Sequence, residues 1–369
     1  MRVSSIAQDR AFTEIKRLCY LGLDEMTLLR RATECLRQVV PFEAYCVHAN
    51  DPSSGLITHA IPGDAQMEAQ TPIFLEHVYF EDEVTPFGWM AKKQLPAIPL
   101  SEATGGRLDH ALRYRALMLP MGLGHEVRGI FALNGELWGS ISTLREPSSP
   151  DFEDREVAFF RRIAPHLAAG LKAAALRSEA LSEQPGECVP GVLVIDHEGQ
   201  LVQQTWAAEQ WLRDLGDLDR GWREGDMLPS AVLSVAGALR QVLASGTDQE
   251  RNSIPRLLIR GRSGRWLTLH GARSELHTDR GSETIIVIGA ARPSEVSWLK
   301  TSAYNLSERE REVVDLVVRG LSTKQISQTL YISEYTVQDH LSNVFDKVGV
   351  RGRRALVKRL YLDSLSSLD

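Results

Sequence analysis

Between Leu306 and Leu360 the chain reads LSEREREVVDLVVRGLSTKQISQTLYISEYTVQDHLSNVFDKVGVRGRRALVKRL, and no other stretch constrains the fold as strongly. Three serines open three segments, each with an apolar stripe. Ser307 is followed three residues later by Glu310, and Ser322 by Gln325. That spacing predicts a reciprocal capping box, in which the hydroxyl and the N3 side chain each satisfy an orphan backbone N–H. Ser333 is placed to cap the third helix through its hydroxyl. Val337, Leu341, Val344 and Val348 recur at i, i+4, i+7 and i+11, the spacing of one buried helical face. Gly349 follows as a C-terminal stop. Only Tyr331 and Ile332 separate the second segment from the third cap, so two short helices must meet at a sharp angle. Such a pair, the second helix polar on its outer face, is the geometry that places a helix in the DNA major groove.

These residues resemble the LuxR/FixJ-type helix-turn-helix found at the C-terminus of many bacterial transcription regulators. The resemblance rests on L-S-x-R-E from Leu306, G-L-S-T-K-Q-I-S from Gly320, I-S-x-x-T-V-x-x-H-L from Ile332 and K-V-G-V from Lys347. It covers about 60 of 369 residues and implies a double-stranded DNA operator as partner, with RNA polymerase a further candidate. By resemblance, base contacts fall to Gln338, Asp339 and Ser342, while Lys324, Thr336, Lys347 and Arg351 suit phosphates. Ser333, Tyr335, Asn343 and Arg353 complete the expected DNA-binding set. His340 matches a histidine common in the family, expected to pack or to touch a phosphate. The chain departs from the family where a lysine often stands at the position of Gln338. Glutamine can read adenine bidentately, and Asp339 can accept from cytosine N4.

Charge bears on how such a reader works. The chain carries a formal net charge of -6, which argues against nucleic-acid binding over its whole surface. From Tyr304 onward ten Lys/Arg stand against nine Asp/Glu. The local exception is RGRRALVKR after Val350, with five cations and no acid. Backbone neutralisation supplies much of the affinity for DNA, so a weakly basic reader is expected to bind a half-site poorly alone and to act as a homodimer.

A length of 369 residues predicts two or three domains, and a hydrophobic content of 43% suffices for ordinary cores. The expected class is α+β multidomain, with two α/β sensor regions and an all-α, tetrahelical helix-turn-helix at residues 300–366. No run approaches the ~18 apolar residues of a membrane helix, and MRVSSIAQDR lacks the apolar centre of a signal peptide. A cytoplasmic chain without a membrane partner is expected. Cys19, Cys35, Cys46 and Cys188 show no C-x-x-C spacing and read as free thiols.

Residues 1–183 begin with the helical segments AFTEIKRLCYLGL and DEMTLLRRATECLRQVV, then turn to strand-like AYCVHAN, GLITHAI, HVYF, EVRGIFALN and WGSISTLRE. A long helix closes the region over Asp151–Glu183, with Phe160, Ile163, Leu167, Leu171 and Ala174 in one stripe and Pro165 near its middle. This order, with F-x-x-x-E-x-x-F-F-R-R-I-A-P-H-L-A in the helix, resembles a GAF domain. The stripe either packs on its own sheet or pairs with a second copy. QPGECVP at 184–190 reads as a linker. Residues 191–290 give a hairpin around Asp196–Gly199, helices near Trp206–Leu212 and Ala231–Ser245, then strands near Ile254–Ile259, Trp266–Leu269 and Thr284–Ile288. That order resembles a PAS-type sensor. In both families a sheet face and the loops above it enclose a small-molecule cavity.

Catalytic signatures are missing: the chain has no G-x-S-x-G elbow, P-loop, H-E-x-x-H or dinucleotide glycine pattern. No enzyme activity and no cofactor is therefore expected. Histidines at 48, 59 and 77 are the conceivable haem ligands, but none pairs with another ligand at metal spacing. Cys35 and Cys46 flank a helix–strand transition and offer a redox alternative, which requires a cationic, partly exposed thiol. An organic effector fits better. Phe74, Tyr79, Phe80, Trp89, Met118 and Met121 concentrate apolar and aromatic surface of the kind that lines ligand cavities. The expected function is an effector-controlled transcriptional regulator, and docking of a protein partner on the sensor regions is the alternative.

Overall fold

The computed structural model describes residues 5–79, 84–180, 189–196, 199–215, 222–223, 225–244, 254–278, 281–292, 295–296, 304, 306–357 and 359–360. Contacts divide the chain into two compact units, Met1–Ala290 and Ala291–Asp369.

The first unit opens with α1 (Ser5–Tyr20) and α2 (Glu25–Arg37). Asp24 caps α2, its carboxylate accepting from the Thr27 amide at 2.9 Å. Five strands follow, β1 (Ala44–Asn50), β2 (Ile57–Pro62), β3 (Ala97–Pro99), β4 (His125–Leu133) and β5 (Glu136–Arg145). They form one antiparallel sheet in the order β2-β1-β5-β4-β3. AYCVHAN, GLITHAI, EVRGIFALN and WGSISTLRE thus become strands within two residues of their expected bounds.

HVYF does not. After α3 (Ala65–Ala69), the chain forms α4 (Thr71–His77), and the Val78 amide still bonds Phe74 O at 2.9 Å. Pro72 suits the first turn of a helix, and Phe74, Leu75 and Val78 bury together as helical neighbours. The aromatic and β-branched residues that suggested a strand serve a helix instead. Phe80 lies outside the described residues.

The short helices α5 (Phe87–Lys92) and α6 (Leu100–Ala103) pack against the sheet. Its other face carries α7 (Asp154–Ala180), which contains Pro165. Phe160, Ile163, Leu167, Leu171 and Ala174 are all at most 2% exposed. The approach is close enough that a Cβ at Gly139 would sit 2.8 Å from Leu171 Cδ1. The stripe is therefore consumed by its own sheet, and the reading of it as a surface for a second copy is corrected.

The second sheet comprises β6 (Gly191–Ile195), β7 (Leu201–Gln204), β8 (Arg256–Arg260), β9 (Trp266–Thr278) and β10 (Gly281–Ala290), with α8 (Trp206–Leu215) and α9 (Ser230–Ala244) between β7 and β8. Its order is β7-β6-β10-β9-β8. Counted within each sheet, both orders are second-first-fifth-fourth-third, and every pairing is antiparallel.

Helix α9 joins the two sheets. Every residue from Ser230 to Leu239 is buried, as expected of a helix apolar on all sides. Toward the second sheet, a Cβ at Gly271 would lie 3.3 Å from Val235. Toward the first, a Cβ at Gly237 would lie 2.5 Å from the Leu75 carbonyl oxygen, so only glycine fits. The Tyr79 hydroxyl accepts from the Ile57 amide at 2.9 Å and bonds Ser234 Oγ at 3.2 Å. Across the same seam the Leu258 amide donates to the Asp51 carboxylate at 3.0 Å. One hydrophobic core runs through both sheets.

Candidate nucleic-acid interface

The second unit is helical: α10 (Glu308–Val318), α11 (Thr323–Leu330), α12 (Glu334–Val348) and α13 (Arg353–Val357). Both expected capping boxes form. The Glu310 amide donates to Ser307 Oγ at 3.3 Å while the Ser307 amide donates to the Glu310 carboxylate at 2.6 Å. Gln325 and Ser322 repeat the exchange at 3.3 and 2.8 Å. Ser333 caps α12 by accepting from the Thr336 amide at 3.0 Å, and Gly349 ends it at φ 72°.

Tyr331 makes the turn between α11 and α12. It closes α11 in the left-handed region at φ 54° and ψ 42°, and its N–H bonds Ser327 O. The buried stripe of Val337, Leu341, Val344 and Val348 then packs with Val313, Val314 and Ile326 in one core. With that face fixed inward, Glu334, Tyr335, Gln338, Asp339, Ser342, Asn343 and Asp346 are all exposed on α12.

The expected DNA-binding residues separate into two groups. Tyr335, Gln338, Asp339, Ser342 and Asn343 share the exposed face of α12, and Lys324 and Arg351 are exposed on α11 and just after Val350. Others are committed within the unit. The Ser333 and Thr336 hydroxyls bond each other at 2.8 Å beside the cap. Arg353 donates to Leu321 O at 2.6 Å and to Thr323 Oγ1 at 2.9 Å, fastening α13 to the start of α11. Lys347, expected at a phosphate, bonds both carboxylate oxygens of Glu310, at 2.9 and 2.6 Å. Neither commitment has a local sequence signal, because the partners lie 32 and 37 residues away.

A family model described as bacterial regulatory proteins, luxR family, matches residues 304–360. The spore germination protein GerE of Bacillus subtilis (strain 168) is 48% identical over 61 residues, which are 16% of this chain and 82% of that protein. This chain belongs to the luxR family. Its LuxR-type module makes it a DNA-binding transcription regulator. Nitrate/nitrite response regulator protein NarP of Escherichia coli (strain K12) is 48% identical over 50 residues, 14% of this chain and 23% of that protein. The regulatory protein LnrK of Bacillus subtilis is 47% identical over 49 residues, 13% of this chain and 22% of that protein. The chain thus spans under a quarter of those two relatives. Among solved structures, the phage VqmA–DPO complex is similar over 50% of this chain and 86% of that one, at 20% identity and a TM-score of 0.26. So slight a likeness carries no argument about the remaining residues.

In the sheet-bearing unit the described residues expected to line an effector cavity lie mostly in or against the shared core. Phe74 and Met118 are buried in the shared core, Tyr79 and Met121 are half-buried against it, and Trp89 is 45% exposed. Phe74 stacks on the ring of His48 at 5.1 Å. His48 itself is wholly buried, with Nδ1 3.1 Å from Ser140 Oγ.

Sequence reading missed a buried polar layer on the same sheet face. The Arg113 guanidinium meets the Glu126 carboxylate at 2.5 Å, Arg128 approaches Glu126 at 3.4 Å, and both arginines bond main-chain carbonyls at Val84 and Thr85. The alternation Glu126-Val127-Arg128, with His48 and Ser140 opposite each other, was the available signal. Burial pushes the thiols of Cys46 up to about 12 and Cys19 up to about 11, and raises that of Cys35. These shifts run opposite to the acidification that makes a thiol reactive. Cys188 lies outside the described residues.

Proposed function

We propose that this regulator reads a two-half-site operator as a homodimer, under control of a small-molecule effector bound in residues 1–290. The observation that carries the reading is the repeated strand order of the two five-stranded antiparallel sheets. It supports a GAF-like region at residues 1–183 and a PAS-like region at 191–290, ahead of a reader at 300–366. A shared core across α9 gives a means by which a change at one sheet reaches the other. An effector acts only if it binds the competent and incompetent arrangements with different affinities.

In the reader, we assign base contacts to Gln338, Asp339 and Ser342, supported by their common exposed face. Lys324 and Arg351 suit the flanking phosphates. The near balance of charge supports dimerisation on DNA, since one module neutralises few phosphates. The experiment is selection of operators from random DNA by the full chain, followed by titration with a metabolite panel. Twofold-symmetric sites whose affinity shifts with one metabolite are expected. Asymmetric single half-sites, bound equally well in every condition, would overturn the reading.

A further inference from the structure

Between β2 and the segment leading into α9 lies a cleft of about 440 Å³, a volume within the range of small-ligand sites. Its floor is the outer edge of β2. The Gly63 amide donates to Tyr45 O at 2.9 Å, and Val47 stands opposite Ile61. Antiparallel pairs alternate between those that exchange hydrogen bonds and those that do not. The pair His48–Ala60 is therefore of the second kind, and the Ala60 N–H and C=O point away from β1 toward the cleft. Ala60 is only 7% exposed, and neither group has a partner among the described residues. Buried main-chain N–H groups are almost always paired. Further along the strand the need is met from within, because Tyr79 takes the Ile57 N–H.

The remaining lining sets the chemistry. Trp222, Met227 and Leu228 supply an apolar wall. Asp64, Glu68 and Asp226 bring three carboxylates against the single guanidinium of Arg30. A cleft lined mainly by one sign of charge concentrates the opposite sign. Pro62 has no N–H to offer an incoming strand, which limits pairing along this edge to the one residue at Ala60.

We propose that this cleft binds a short basic peptide. One peptide residue exchanges two main-chain hydrogen bonds with Ala60, as an added strand would. Its neighbouring apolar side chain lies on the Met227 wall, and its cationic side chain meets the carboxylates. Bound there, the peptide touches both β2 and the approach to α9, the helix that joins the sheets. The assignment rests on the sensing role proposed above for residues 1–290 and names the chemistry of the effector.

The test is calorimetric titration of the full chain with N-acetyl-leucyl-lysinamide, its uncharged norleucinamide analogue and its glutamyl analogue. The lysyl compound is expected to bind at least roughly tenfold more tightly than either analogue. Ala60→Pro removes the outward N–H but leaves the ladder intact, because proline is tolerated where an edge N–H faces outward. It is expected to weaken binding roughly fivefold to tenfold, the loss of one hydrogen bond. Glu68→Gln leaves the floor untouched and is expected to narrow the lysyl preference, which keeps the test decisive if Ala60→Pro fails to fold. No binding, equal affinity for all three compounds, or Glu68→Gln leaving the preference unchanged overturns the assignment. Operator affinity is read separately. A peptide that binds without altering operator affinity upholds the cleft and overturns effector control. Operator binding that answers to another metabolite, with no peptide bound, does the reverse.

Discussion

Lys347 and the buried carboxylate of Glu310 meet at 2.6 Å across 37 positions of sequence, tying the last turn of α12 to the first turn of α10. The Glu310 side chain is 5% exposed and that of Lys347 is 39% exposed. An exposed pair contributes little, but removing the ammonium strands a carboxylate that has left water. With discount for the exposed lysine, Lys347→Ala should destabilise the helical unit by about 1–2 kcal/mol. Urea unfolding checks this, and an unchanged midpoint would show that the pair adds nothing to stability.

The same contact predicts an acid response. Burial raises the Glu310 carboxyl pKa, but the bonds from Lys347 and Ser307 outweigh it and hold the group below the ordinary carboxylate range. A depressed folded-state pKa contributes stability that is complete above the unfolded value of ~4.3 and is lost as pH falls through the folded one. Thermal unfolding of the helical unit should therefore drop more steeply below about pH 4.3 in the wild type than in Glu310→Gln. Parallel curves would show that the pair does not couple to pH.

Gln338 separates specificity from affinity. Its side chain is exposed on the outer face of α12, fixed there by the inward stripe. If it reads a base edge, Gln338→Ala should lose about 1–3 kcal/mol of discrimination at one base pair and leave other positions unchanged. Arg351→Ala should weaken all sequences alike, since phosphate contacts position without specifying. Competition binding on single-substituted operators distinguishes them, and equal losses on cognate and scrambled DNA would remove Gln338 from base readout.

What was legible in the sequence was local. Ser307–Glu310, Ser322–Gln325 and the Val337–Val348 stripe are encoded within one or two helical turns, and all form as read. The strands were legible where apolar and polar residues alternate. HVYF failed because a four-residue run of aromatic and β-branched residues suits a strand and a packed helix end equally. Long-range pairings left no periodic trace: neither Lys347–Glu310, nor Arg353 with Leu321, nor Tyr79 with Ser234. Nor did composition reveal that Gly237 would face a carbonyl at 2.5 Å, the contact that joins two apparently separate regions.

Tyr331 carries a conformational cost that can be removed. It adopts φ 54° and the residue is 95% exposed, so the ring contributes little packing. The left-handed region costs a non-glycine residue roughly 1–2 kcal/mol, whereas glycine enters freely and loses roughly 0.5–1 kcal/mol in backbone entropy. Tyr331→Gly should therefore stabilise the helical unit by about 0.5–1 kcal/mol. A lower unfolding midpoint would mean that the exposed ring holds the turn in some other way.

His48 should make the sheet-bearing unit sensitive to mild acid. Ser140 Oγ donates to Asn50 Oδ1 at 3.0 Å, so its lone pair is left to accept from His48 Nδ1 at 3.1 Å. That network assigns the proton to Nδ1 and leaves Nε2 bare, without a hydrogen-bond partner among the described residues. Burial, and then the nearby Arg128 guanidinium, push the imidazole pKa down to about 3. The unfolded chain takes up the proton near pH 6.5, while the folded one stays neutral. Stability is therefore complete above pH 6.5 and falls with acidification at up to about 1.4 kcal/mol per pH unit until the folded value is reached. Between pH 7.5 and 5.5 the wild type should lose roughly 1.4 kcal/mol more than His48→Gln, which cannot titrate. Urea unfolding at the two pH values supplies the comparison, and equal losses would place the acid response on other groups.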